Sequence, residues 1–361
     1  MRVLLVPSQR LEGWKAMDRY ADSLMRHLPA VLPTGWTVTR QPDMALPGWA
    51  RFPARWFLYP RMVNWDAYDV VHVLDHSYAH VLYGKTARVR AVLTVHDLYA
   101  LERASRRRGI RGAAVRWVDS WVLGGMRRAD MCLCDSTATL EALARWDSSV
   151  GSRGRVEFLG VDDHFFPPDR EAARAEGRRW LDLPADSFVI LHVGSCVPRK
   201  NIGAILQALQ NVRADDRSVL FLQAGGVFTD QQRQEQRSLR LGECVRQVPR
   251  VPEEMLPQVY AAADIVVLPS LFEGFGFSVL EAFAVGVPVA SSRNWSLRDF
   301  PDHLVESAGT GSPEELTEAI LRVKRSPELA AARAREARQW ARQWTWERVA
   351  RGAALAYGAP I

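Results

Sequence analysis

The sequence predicts an α/β protein built as two doubly wound, Rossmann-like domains, each a parallel sheet wrapped by helices. Three observations carry the prediction. At 361 residues the chain exceeds one ordinary α/β unit and suits two domains of about 150 to 200 residues each. Short β-branched runs alternate with helical patterns, and that alternation runs twice. Between the two runs lies Gly160-Val161-Asp162-Asp163-His164-Phe165-Phe166-Pro167-Pro168, where a strand gives way to a glycine-, aspartate- and proline-rich turn.

In the first half, short apolar or β-branched runs place strands at Val3–Val6, Val70–Val73, Ala91–Val95, Met131–Cys134 and Val156–Leu159. Helices are expected between them, at Asp18–Leu28, Arg111–Met126 and Thr137–Trp146. The second half repeats the scheme, with strands at Phe188–Val193, Val219–Gln223, Val245–Val248, Ile265–Leu268 and Val287–Ala290. Its helices are expected at Gly203–Val212, Gln232–Leu241, Glu254–Ala262 and Val279–Val285. An Ala/Arg/Glu-rich surface helix runs from Pro327 to Gln343, and a last helix covers Trp344–Ala356. The domains are therefore 1–163 and 164–343, with 344–361 as a terminal helix whose flanking tryptophans suit docking back across the seam.

Bulk composition narrows the function classes. Hydrophobic residues make up 48% and charged residues 24%, the balance of a soluble globular protein. No apolar run is long enough for a membrane span. The start, Met1-Arg2-Val3-Leu4-Leu5-Val6-Pro7, reads as a buried first strand rather than a leader, so a cytoplasmic protein is expected. Cys132, Cys134, Cys196 and Cys244 are scattered through apolar segments at no metal or redox spacing, and read as reduced packing residues. The formal charge of +6 is uneven. Between Glu102 and Arg128, eight arginines (103, 106, 107, 108, 111, 116, 127 and 128) face only two acids. Interleaved apolar residues, from Ile110 to Val122, make the stretch suit either a helix lying on an anionic membrane or one packed on the sheet. It holds no nucleic-acid reading motif, and a nucleic-acid partner is not expected.

In open α/β sheets a ligand sits beyond the carboxyl ends of the strands, so residues that end strands and begin helices matter most. The strongest such segment is Pro269-Ser270-Leu271-Phe272-Glu273-Gly274-Phe275-Gly276-Phe277-Ser278-Val279-Leu280-Glu281. Its glycines let backbone approach a ligand closely, and a helix start offers amides to phosphate. Glu273 and Glu281 can accept hydrogen bonds from sugar hydroxyls, although Ser278-x-x-Glu281 also reads as a capping box. A second segment, Val193-Gly194-Ser195-Cys196-Val197-Pro198-Arg199-Lys200-Asn201, ends a strand with a glycine and two cations, which would suit a departing diphosphate. It equally suits an exposed basic loop.

These segments carry a resemblance. The stretch Pro257–Pro288, reading PQVYAAADIVVLPSLFEGFGFSVLEAFAVGVP, resembles family 4 of the retaining glycosyltransferases nearly throughout, including its Glu-x7-Glu signature. The likeness covers most of residues 90–290, is thinner over 1–90 and is weak after Ser292. It implies the GT-B fold, two Rossmann-like domains facing each other across a cleft, with acceptor bound by the first and nucleotide sugar by the second. It also implies that Glu273 contacts the donor sugar, Glu281 the ribose, and the backbone of Gly274, Phe275 and Gly276, continuing through Phe277 and Ser278, the rest of the donor. Gly194, Ser195, Arg199 and Lys200 would hold the diphosphate. Ser195 stands where many members carry an arginine.

In Val92-Leu93-Thr94-Val95-His96-Asp97, a strand ends in a histidine that the resemblance assigns to the donor sugar, with Asp97 either orienting it or capping the next segment. Acceptor contacts are expected from Asp75, His76 and Tyr78, which follow another strand; a packed turn fits the same residues. The first loop keeps only Gly13 of the glycine pair common in the family.

The reaction implied is hexosyl transfer with retention, without a metal or an enzyme nucleophile, catalysed by His96, Glu273 and Lys200. The donor would be a GDP- or UDP-sugar, with the Pro-Arg-Lys-Asn sequence closer in flavour to bacterial mannosyltransferases and GDP-mannose. The acceptor would be a glycan, a lipid-linked glycan or a small molecule, reached in the cytoplasm or peripherally at the inner membrane face. Two rivals share the architecture: a nucleotide-sugar epimerase and a non-catalytic scaffold that binds sugar nucleotides.

Overall fold

The computed structural model describes residues 1–44, 54–99 and 110–360, with backbone alone for 11 and 110–116. It divides into two compact units, Met1–Gly160 with Thr345–Ile361, and Val161–Trp344.

The first unit holds six parallel strands: β1 (Arg2–Val6), β2 (Thr37–Arg40), β3 (Val70–Val73), β4 (Arg90–Val95), β5 (Met131–Cys134) and β6 (Gly154–Val156). Their order is β2-β1-β3-β4-β5-β6. Every residue of β3 is buried, as expected of a strand covered on both faces. Around the sheet lie α1 (Lys15–Val31), α2 (Ile110–Met126) and α3 (Thr137–Trp146). Ser136 caps α3 by accepting from the Thr139 amide.

The second unit contains α4 (Arg170–Trp180), β7 (Val189–Val193), α5 (Ile202–Asp215), β8 (Leu220–Ala224), α6 (Asp230–Ser238) and β9 (Val245–Val248). It continues with α7 (Leu256–Ala261), β10 (Ile265–Leu268), α8 (Phe277–Val285), β11 (Val289–Ser291), β12 (Glu306–Ser307), α9 (Pro313–Arg325) and α10 (Pro327–Ala341). The sheet order is β12-β11-β10-β7-β8-β9, all parallel. Counted from its first strand, this is the 3-2-1-4-5-6 winding of a Rossmann fold, reversing between β7 and β10.

The last helix, α11 (Trp346–Tyr357), belongs to the first unit. Trp346 packs on Tyr20 with ring centroids 6.2 Å apart. The Tyr357 hydroxyl lies 2.7 Å from His72 Nδ1, whose Nε2 lies 2.8 Å from Thr94 Oγ1; Thr94 in turn meets the Tyr20 hydroxyl at 2.9 Å.

Six elements depart from the sequence expectation. Strands β2 and β12 were not expected, and β6 begins two residues before the expected Val156. β11 starts at Val289 because Pro288 lacks the amide a ladder needs. Helices α4 and α9 were also missed, although Ser312 and Glu315 form a capping box at the start of α9 with Pro313 at its first position.

Candidate functional site

At the reversal point, β7 and β10 lie side by side, pairing Ile190 with Ile265 and Leu191 with Val266. The loops that leave their carboxyl ends are stitched together. The Leu271 amide donates to the Arg199 carbonyl at 2.8 Å, and Asn201 Nδ2 donates to the Pro269 carbonyl at 3.2 Å. Between these loops sits Glu273, buried to 6% exposure. Its Oε1 pairs with Lys200 Nζ and accepts from Ser270 Oγ at 2.8 Å. Its Oε2 accepts from Arg199 Nη1 at 3.1 Å, and the same nitrogen reaches the Phe272 carbonyl at 3.0 Å. Burial opposes charge on this carboxyl, but the Lys200 and Arg199 cations outweigh it and hold Glu273 below the usual carboxylate range. One carboxylate thus collects two cations at the foot of a helix.

That helix, α8, opens after Gly276, whose φ of 111° lies in the left-handed region. A Cβ there would stand 2.9 Å from Leu297 and 3.1 Å from Phe300, so both the turn and its packing require glycine. The Phe277 and Ser278 amides precede the first bond of the helix, which the Val279 amide makes to the Gly276 carbonyl at 2.9 Å. The Phe275 and Phe277 rings meet edge to face at 5.6 Å beneath this turn. Ser278 and Glu281 do not form the capping box that their spacing allowed, because Gly276 is the cap and Ser278 already lies inside the helix. The Ser278 hydroxyl donates to the Val193 carbonyl at 2.9 Å, and Glu281 accepts from the Tyr260 hydroxyl at 2.6 Å.

Gly194 ends β7 at φ 143°, and a Cβ there would lie 3.6 Å from His192 and 3.7 Å from Lys200. The next residue, Ser195, is exposed. His192 was not foreseen as a site residue. Gln223 Nε2 donates to the Gly194 and Ala224 carbonyls, so its oxygen accepts from His192 Nδ1 at 2.8 Å. That fixes the tautomer and leaves Nε2 buried with no partner. Burial and the nearby Lys200 push this histidine down to about 4, so it is neutral. The only sequence signal was a polar residue inside an otherwise apolar strand.

In the first unit, His96 directly follows β4 and is 5% exposed. Its Nδ1 meets Asp135 Oδ2 at 2.6 Å and its Nε2 meets the Leu74 carbonyl at 2.8 Å. Burial opposes its charge, yet Asp135, Asp75 and Leu74 outweigh that cost and lift it to about 9. The loop after β1 has its own ionic centre. Glu12 accepts from Arg55 at 2.8 Å and from the Tyr78 hydroxyl at 2.7 Å, and the Arg55 guanidinium lies 4.3 Å from the Tyr78 ring centroid.

Models of two families match this chain, "Glycosyltransferase Family 4" over residues 17–164 and "Glycosyl transferases group 1" over residues 174–340. A D-inositol 3-phosphate glycosyltransferase of Saccharomonospora viridis is 30% identical over 303 residues, covering 78% of this chain and 68% of that one. The chain belongs to family 4 of the glycosyltransferases. Sucrose-phosphate synthase from Thermosynechococcus elongatus shares its fold at a TM-score of 0.78 and 20% identity, over 99% of this chain and 98% of that chain. HepE from Anabaena, in complex with UDP-glucose, does so at 0.74 and 19%, over 98% of each chain. These neighbours confirm the GT-B class of two Rossmann-like domains.

Within this glycosyltransferase, the structure brings Gly194, Arg199, Lys200, Glu273 and the 274–278 turn together at one switch point. Other expectations change. Both ring nitrogens of His96 are engaged within its own unit, by Asp135 and the Leu74 carbonyl. Asp97 accepts from the Tyr99 amide at 3.0 Å, leaving Asp135 to orient His96. Tyr78 is fully buried with its hydroxyl satisfied, and Asp75 caps the following turn by accepting from the Ser77 amide at 2.7 Å. Those two side chains fit the packed-turn reading; His76 is half-buried and Gly13 exposed.

Of the basic stretch, Arg103, Arg106, Arg107 and Arg108 lie outside the described residues, as do the side chains of Arg111 and Arg116. Arg127 pairs with Asp147 at 2.6 Å, and Val122, Leu123 and Met126 are buried in the core, while Trp117 is 70% exposed. Among the described residues no helix is long and apolar enough to cross a membrane, and no cluster of His, Cys, Asp or Glu could hold a metal ion.

Proposed function

We infer that the chain transfers a hexose from a nucleotide sugar to an acceptor hydroxyl with retention of anomeric configuration. The observation that carries this reading is the Lys200–Glu273–Arg199 group at the β7/β10 reversal, beside the start of α8. In the reaction proposed, the acceptor oxygen attacks the anomeric carbon from the face that the diphosphate leaves. The bond from that carbon to the phosphate oxygen breaks, the new glycosidic bond forms, and the acceptor proton passes to the departing phosphate. Lys200 and Arg199, with the first-turn amides of α8, take the growing negative charge in place of a metal. Donor phosphates compete with Glu273 for those cations, freeing its carboxylate for the sugar hydroxyls. Glu281 would accept from the ribose while Tyr260 orients it. His96 enters the proposal only as a buried cation tying the ends of β4 and β5.

The donor is proposed to be a UDP- or GDP-sugar. The relatives' names favour an acceptor of the phosphorylated-polyol or glycan kind, and the Pro-Arg-Lys-Asn sequence favours GDP-mannose as the first donor to try. Work in the cytoplasm, against the inner membrane face, is the setting proposed. The deciding experiment incubates the purified chain with UDP- and GDP-hexoses, with and without D-inositol 3-phosphate or glycan acceptors, in excess EDTA. An α-linked product from an α-linked donor, formed despite EDTA, is expected. Donor epimerised without acceptor, or bound without turnover of any kind, would overturn the reading.

A further inference from the structure

At the edge of the second sheet opposite the donor loops lies a cavity of about 500 Å³ lined by five arginines. Its walls come from Arg213 at the end of α5, Arg217 before β8, Arg233 and Arg237 on α6, Arg240 just after α6, and Glu243 before β9. Arg217 and Glu243 precede their strands, whereas Gly194, Lys200 and Glu273 follow theirs, so the cavity and the donor loops occupy opposite ends of one sheet.

Two of the arginines serve the fold. Arg213 Nη1 donates to the Arg217 and Val219 carbonyls, each at 2.5 Å, and Arg233 binds the Phe228 carbonyl and Asp230. Arg217, Arg237 and Arg240 are exposed and make no side-chain hydrogen bond or ion pair among the described residues. Glu243 is the sole acid in the lining.

A backbone observation points the same way. Arg240 sits at φ 56°, in the left-handed region. Its amide bonds the Arg237 carbonyl and the Leu241 amide bonds the Gln236 carbonyl, each at 3.0 Å, closing α6 in a turn that glycine or asparagine fills most readily. An arginine in that place strains the backbone while adding a like charge to a crowded rim.

We propose that this cavity binds an anion carrying clustered phosphates, either a soluble polyphosphorylated molecule or a phospholipid headgroup. Guanidinium forks match phosphate oxygens two at a time, and three unengaged forks around one cavity suit more than one phosphate. The site stands independently of the donor reading, because none of its residues belongs to the β7/β10 loops.

The test titrates the full chain with tripolyphosphate by calorimetry, beside the double variant Arg237→Glu/Arg240→Glu and the single variant Lys200→Ala. Wild type and Lys200→Ala should both bind, with affinity falling steeply as salt rises. Combined with Lys200→Ala, which removes the diphosphate contact of the donor loops, the double variant should bind about tenfold more weakly than Lys200→Ala alone, or worse. Arg217→Glu, from a different loop, should weaken binding in the same direction. All three sites are exposed, so the variants should melt as wild type does. Sedimentation with vesicles containing cardiolipin, whose headgroup carries two phosphates, beside plain phosphatidylcholine vesicles, separates the sources. Pelleting with the first alone, lost in the double variant, assigns a headgroup; tripolyphosphate binding without pelleting assigns a soluble anion. Binding by the double variant in the Lys200→Ala background within about twofold of Lys200→Ala alone overturns the proposal. So does binding abolished by Lys200→Ala alone, or no binding to either probe.

Discussion

Glu273 carries two cations and a serine hydroxyl on one buried carboxylate, so the charge of the donor loops and their shape depend on each other. Glu273→Gln keeps the volume but strands Lys200, only 9% exposed, without its counter-ion. The variant should lose about 3 kcal/mol of stability in the second unit, and transfer should fall about a hundredfold or more. Its affinity for UDP or GDP should hold or rise, since the cations no longer have an internal rival. Lys200→Ala should lose that affinity, and calorimetry with the free diphosphates separates the two. If both variants bind diphosphate alike, the assigned division of labour is wrong. His96 yields a second prediction. Its folded value near 9 exceeds the ordinary 6.5, so its ion pair stabilises the first unit below about pH 6.5 and loses that contribution as pH rises through 9. Urea midpoints should fall over this window by the equivalent of about 3 kcal/mol at most. In His96→Asn the same slope should be absent.

At the scale of elements, Gly276 shows how a turn fixes a site. Gly276→Ala would force a side chain into the left-handed region and against Leu297 and Phe300, whose nearest atoms stand 2.9 and 3.1 Å from the new Cβ. The expected loss is about 1–3 kcal/mol, with the α8 amides displaced from the switch point and transfer reduced more than stability. Unchanged donor affinity in this variant would detach α8 from the site. Such elements were legible because glycines, a buried strand and two acids coincide within one segment. The residues missed have a different physics. Strands β2 and β12 lie at the sheet edges, where one side is solvated and no apolar run is required, so pattern reading passes over them. His192, Asp135 and Tyr260 act through partners 20 to 40 positions away in sequence, as the separations of 31, 39 and 21 for their hydrogen bonds show. Sheet order makes neighbours of the first two pairs, and the packing of α7 on α8 makes the third. The capping-box spacing at Ser278 misled for a related reason, since helix start is decided by the dihedral at Gly276, which spacing does not encode.

Across the whole molecule, the chain begins in the first unit, builds the second, and returns to finish the first with α11. The return is not a loose appendage. Trp346, Val349, Ala350, Ala353, Ala356 and Tyr357 are buried in it, and Arg90 and Arg155 each donate to α11 carbonyls, Ala356 and Gly352, at 2.6 Å. His72, held neutral by burial with its pKa down near 3, depends on the Tyr357 hydroxyl for its Nδ1 partner. Tyr357→Phe should therefore cost the first unit about 1–3 kcal/mol, the penalty of an unpartnered buried nitrogen. Deleting Thr345–Ile361 should cost far more, because a whole packed face of the first unit opens to water. Hydrogen exchange gives the sharper reading of both changes. Amides of β1, β3 and β4 should lose protection, while those of β7 and β10 keep theirs, since the second unit closes its own core before the chain returns. Equal loss in both sheets would mean that the two units fold as one cooperative block, and that α11 stabilises the molecule rather than the domain it completes.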